Sequence, residues 1–139
     1  MVNQKIPFGK EIDSIDLPTA TFTKLEGDVI WVRYKPFEEE FGLEEAKNHT
    51  AALHSLDQGI PKHIVIDFRG VDVQFTNEAR DYFAKAQAHE EMRKSQALVI
   101  DSLAHKLVAN FYMRSNKPTC PVAIFENPKE AWDWVQSLT

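Results

Sequence analysis

Hydrophobic and polar positions along the chain fall into short runs of two periods. ATFTKL and DVIWVRY, on either side of Glu26-Gly27, alternate or run apolar and predict two strands joined by a tight turn. Lys35-Pro36 closes the second. LEEAKNHTAALHSL then sets Leu43, Ala46, Thr50 and Leu53 at helical spacing, and Asp57-Gln58-Gly59 supplies a stop. HIVIDF is an almost continuous apolar run, the kind that lies in a parallel sheet covered on both faces.

From Thr76, Ala79, Phe83 and Ala86 share one face with Tyr82 beside them, which predicts a second helix. QALVIDS repeats the buried-strand pattern, and Ala104, Leu107, Val108 and Phe111 give the apolar stripe of a third helix. SNKPTCP is a turn cluster and PVAIF a last short strand. In NPKEAWDWVQSL, Asn127 is a cap and Pro128 suits the first helical position; Ala131, Trp134, Val135 and Leu138 are expected to face inward, with Trp132 less buried.

The expected order is strand, strand, helix, strand, helix, strand, helix, strand, helix. Alternation of this kind requires crossover connections, hence an α/β fold with a mixed, mostly parallel sheet covered by helices. Residues 1–18 are polar and mixed and end at Pro18, so they are read as an N-terminal arm or loop; residues 19–139 form the single domain.

A chain of 139 residues is the size of one domain and buries roughly two thirds of its unfolded surface. Its 16 basic and 21 acidic residues give a net charge of -5, which offers no electrostatic footprint for a nucleic-acid backbone. The apolar runs are too short to span a bilayer, and MVNQKIPFGKEI lacks the apolar stretch of a signal peptide, so a cytoplasmic location is the expectation. The lone Cys120, in TCPVAIF, is read as a small core residue rather than a nucleophile.

The segment DFRGVDVQFTNEARDYF, Asp67 to Phe83, concentrates the candidate chemistry. A strand ends in Asp, followed by Phe68-Arg69-Gly70-Val71 and a capped helix. With the element order, this resembles the STAS domain, the fold of sporulation anti-sigma-factor antagonists. The stretches LEGDVIWVRYKP and NFYMRSNKPTCPVAIFENPKEAWDWV look most like its stand-alone, uncharacterised bacterial members. The resemblance implies a non-catalytic interaction or regulatory module. In the antagonists a helix opens with Asp-Ser-Ser-Gly, and a partner kinase phosphorylates the second Ser. Asp67, Gly70 and Val71 match that pattern, but Phe75, Thr76, Asn77 and Glu78 occupy the helix start, so the acceptor position falls on Asn77, which carries no hydroxyl. Thr76, one position earlier, is expected first as a helix cap and second as a regulated hydroxyl.

Asp67 and Asp101 both end apolar strands, at the sheet edge where ligands of parallel sheets gather. Their first expected role is to accept backbone N–H groups from the following loops; binding Mg²⁺ or a phosphoryl group is the lesser reading. His49, His54, His63, His89 and His105 include no pair at the i, i+4 spacing of a helical chelate, and HEEMR has Arg93 where a zinc-protease motif needs its second His. Neither a cofactor nor a metal is expected. His49, His54 and His89 are read as flanking apolar faces.

No nucleophile elbow, phosphate loop or dinucleotide fingerprint is present, and no catalytic residue is assigned. Lys106, Asn110 and Met113 lie opposite the third helix's stripe, with Tyr112 on a flank and Arg114 and Lys117 beyond, and the surface of the second and third helices is the expected interface, for a protein partner or a homodimer. Two other classes stay open. Kinship of some superfamily neighbours with CRAL-TRIO-like lipid carriers suggests a small apolar ligand, and Asp67 or Asp101 would serve an enzyme.

Overall fold

A computed structural model of the protein describes residues 8–88, 93–103, 105–106 and 120–138, side chains at 86–88 excepted. Within them the chain forms one six-stranded sheet in sequential order: β1 (Glu11–Asp16), β2 (Ala20–Leu25), β3 (Val29–Tyr34), β4 (Lys62–Asp67), β5 (Arg93–Val99) and β6 (Val122–Phe125). β1, β2 and β3 form an antiparallel meander; β3, β4, β5 and β6 run parallel. The helices described are α1 (Leu43–Asp57), α2 (Asn77–Ala88) and α3 (Pro128–Ser137).

Each sheet face has its own core. Ile30, Val32, Tyr34 and Ile64 pack with Ala46, Ala52 and Leu56 of α1 and Ala79 of α2. The alternate residues Val29, Trp31, Val65, Ala97 and Val99 pack against Ala131 and Val135 of α3. Burial on both faces explains the apolar run of β4, because neighbouring side chains point to opposite sides of the sheet.

Two local readings need correction. The stretch expected as an arm or loop contains β1, an edge strand of EIDSID with only Ile15 partly buried. Its hydrogen bonds come from pairing with β2, so no apolar alternation marked it. In α3, Leu138 lies past the last turn and is exposed, whereas the half-buried Trp132 stacks on Phe8 with ring centroids 6.0 Å apart. Gly9 is required there: its φ is +69°, and a Cβ would stand 2.8 Å from the Trp132 ring.

The β2–β3 turn puts Gly27 and Asp28 at positive φ, and the Asp28 carboxylate receives both Lys62, at 2.9 Å, and Lys94, at 3.1 Å. Those bonds, Lys62 first, hold its carboxyl below the usual value and allow Lys62 to be buried.

His49, expected to flank the apolar face of α1, sits inside the core. Its Nε2 is 2.6 Å from Thr19 Oγ1, and the rings of Phe22, Tyr34 and Phe41 surround it at 4.9, 5.2 and 4.8 Å. Burial lowers its pKa from 6.5 to about 4. The unfolded chain therefore takes up this proton first. The stability due to neutral His49 is complete above about pH 6.5 and is lost as pH falls towards 4, by about 3 kcal/mol in total. His63, lowered chiefly by burial, acts in the same direction. Urea unfolding at stepped pH should show this loss, and His49→Gln should flatten the slope between pH 6.5 and 4.

Candidate functional site

The carboxyl edge of the parallel strands is built around Asp67, the last residue of β4, which is wholly buried. Its Oδ1 accepts the Arg69 backbone N–H at 3.1 Å and Arg69 Nε at 3.0 Å; its Oδ2 accepts Arg69 Nη2 at 2.8 Å. Trp31 Nε1 donates to Oδ2 at 3.3 Å, and Arg33 Nη1 reaches Oδ1 and the Asp67 carbonyl at 3.4 Å. Paired β3 and β4 place Arg33 beside Asp67 in register. Such a set of charge-assisted bonds is what a buried carboxylate requires. Hydrogen bonding to Asp67 raises the Arg69 guanidinium above its ordinary value, with Asp101 contributing.

This clamp fixes the next turn. Val71 N–H donates to the Phe68 carbonyl at 3.1 Å, closing a four-residue turn with Gly70 third at φ +72°. That position favours glycine for its left-handed backbone. Gly70 N–H donates to Asp101 Oδ2 at 2.7 Å, so both strand-end carboxylates serve the same turn. A Cβ on Gly70 would meet no atom of the described residues within 4 Å. The turn is anchored from within, and Gly70 is exposed.

A second loop is laced to it. Phe41 N–H donates to the Gln74 carbonyl at 2.8 Å, and Thr76 N–H to the Phe41 carbonyl at 3.0 Å. Thr76 Oγ1 accepts Ala79 N–H at 3.1 Å, which caps α2, and Asn77 Oδ1 accepts Arg80 Nη2 at 2.9 Å. Thr76→Ala is expected to lower stability by about 1 kcal/mol, read from the urea midpoint.

His105 completes the edge. Its Nε2 is 4.0 Å from Asp72 Oδ1 and its Nδ1 4.0 Å from Asp101 Oδ1, and its ring lies 6.2 Å from that of Phe68. Among the described residues, no group of three or more His, Cys, Asp or Glu side chains is arranged to hold a metal ion.

Asp67, Asp101 and Thr76 thus fall on one edge. Lys106 is exposed, 3.7 Å from Glu126. Asn110, Tyr112, Met113, Arg114 and His89 lie outside the described residues. Sequence reasoning missed Arg69, Trp31, Arg33 and His105; the available signal was the alternation of Trp31 and Arg33 on a strand pairing in parallel with β4.

The sequence profile of a domain of unknown function, DUF7793, matches residues 16–139. The chain belongs to the DUF7793 family. No curated protein matches it. A solved structure similar to this DUF7793 domain is an uncharacterised protein of the DUF3478 family from Shewanella loihica PV-4, described as having a SpoIIAA-like fold. The TM-score is 0.62 at 16% identity, covering 84% of this chain and 91% of that one. The DUF7793 domain therefore has the SpoIIAA-like, or STAS-like, fold. Among its described residues no helix is long and apolar enough to cross a membrane.

Proposed function

We propose that this DUF7793 domain is a non-catalytic interaction module that binds a protein partner, a second copy of the chain included, through the carboxyl edge of its sheet. The observation behind this reading is the Gly70 turn, held by a buried carboxylate while Gly70 itself is exposed and a Cβ on it would meet no atom of the described residues within 4 Å. A rigid projecting turn lowers the ordering cost of association. Asp67 supports the same reading, because its oxygens are occupied by Arg69, Arg33 and Trp31 and it is closed to solvent. The fold supports it by analogy alone.

The test is affinity capture with the tagged full chain, comparing wild type with Gly70→Asn. Asn tolerates the left-handed backbone while adding bulk to the projecting turn. The wild type should retain a defined protein or its own untagged copy, and the variant, folded, should lose it. Equal retention by both would overturn the reading.

A second reading rests on Ile66. Although it lies in a central strand, it is only partly buried, as are Phe68, Val73, Phe75, Tyr82 and Phe83 packed against the same core. This partly buried apolar cluster favours a small apolar ligand, which native mass spectrometry of the freshly purified protein would detect as a stoichiometric added mass.

A further inference from the structure

We propose that His105 is a protonation-dependent clasp that closes the Gly70 turn; as a means of regulation, this rests on the reading of that edge as the binding surface. The geometry comes from three elements. Asp101 follows β5, Asp72 lies on the loop after the turn, and His105 stands between them with each ring nitrogen 4.0 Å from a carboxylate oxygen. His105 Nδ1 is buried and has no hydrogen-bond partner.

A neutral imidazole has one N–H donor and one acceptor nitrogen, whereas a carboxylate only accepts. With carboxylates on both sides, the neutral ring satisfies one and turns a lone pair towards the other. At 4.0 Å on each side neither bond is made. The protonated ring donates from both nitrogens, so both gaps can close to about 2.8 Å, the separation of charge-assisted bonds. Imidazole is the side chain that ordinarily changes charge near neutral pH.

Closure acts on the turn because Asp101 already accepts Gly70 N–H at 2.7 Å, and Asp72, largely exposed, is two residues further along the loop. Among the described residues, the other charges near this position have partners of their own. Arg69, which acts electrostatically on Asp101, is forked onto Asp67, and Lys106 is 3.7 Å from Glu126. The Phe68 ring flanks the imidazole. Lower pH thus ties the end of β5, which already holds the Gly70 N–H through Asp101, to the loop that follows the turn.

The test is a two-dimensional NMR titration of the isolated full chain from pH 8 to 5.5. Gly70 and Asp72 amide resonances should shift together with the His105 ring proton. In His105→Gln those shifts should fall at least fivefold, whereas His63→Asn should leave them intact. Asp72→Asn should abolish the coupled response at residue 72 and leave a smaller one at Gly70. Unchanged titration of Gly70 in His105→Gln, or a His105 ring that titrates with no response at Gly70 and Asp72, would overturn the clasp. Because no partner is present, failure here leaves the binding-edge reading standing, and failure of capture leaves the clasp standing.

Discussion

Asp67→Ala is expected to destabilise the protein by about 3 kcal/mol, the lower end of what is lost when one member of a buried ion pair is removed. Truncation leaves Trp31 Nε1 and the Arg69 donors without the carboxylate and removes one of the bonds of Arg33, which keeps the Asp67 carbonyl. Water recovers part of the loss, since the Arg33 and Arg69 side chains are 23% and 37% exposed while that of Asp67 is 0%. Asp67→Asn keeps the shape but turns an amide N–H₂ towards Arg69, and should cost about 1–3 kcal/mol. Urea midpoints at constant slope measure both. A catalytic Asp67 would in addition lose a reaction in the Asn variant.

Phe41→Ala is expected to cost about 3–5 kcal/mol, the usual range for emptying a buried phenyl site. Phe41 is fully buried, with the rings of Tyr34, His49, Phe75 and Phe83 at 6.0, 4.8, 4.9 and 6.0 Å. Four aromatic neighbours cannot collapse into the space without moving α1 or α2. The residue also holds the two edge loops together, through its N–H to Gln74 and its carbonyl to Thr76. Hydrogen exchange should therefore speed up at Thr76 in this variant before global unfolding, in addition to the shifted urea midpoint.

The elements legible in the sequence were those whose burial is periodic. Val29–Tyr34 and Lys62–Asp67 sit between helix layers and read as apolar runs, and Asn127 announced α3 by its cap, accepting Lys129 N–H at 2.8 Å. β1 was hidden because an exposed edge strand needs only backbone pairing, which any polar sequence supplies. β5 begins at Arg93, four residues before the apolar run in QALVIDS. Arg93 bonds Gln96, and buried Ser95 pairs with His63 at 2.7 Å, so the strand's start is held by polar contacts that hydropathy does not register.

The site was legible to a similar depth. A run ending in Asp, then a Gly and a capped helix, marked the edge and the turn. The environment of Asp67 was not legible: Trp31 and Arg33 come from a strand more than thirty residues away. The surroundings of His49 were hidden for the same reason, since its partner Thr19 precedes β2. The bracketing of His105 by Asp72 and Asp101 likewise depends on how the loop after β4 folds beside the end of β5.

The central claim is that binding occurs at the carboxyl edge, and hydrogen exchange with and without a captured partner tests it most directly. The account predicts slowed exchange at Gly70–Thr76 and Phe41–Leu43, with β1 and α3 unchanged. Protection confined to β1 or α3, with the Gly70 turn exchanging as freely as before, would contradict it.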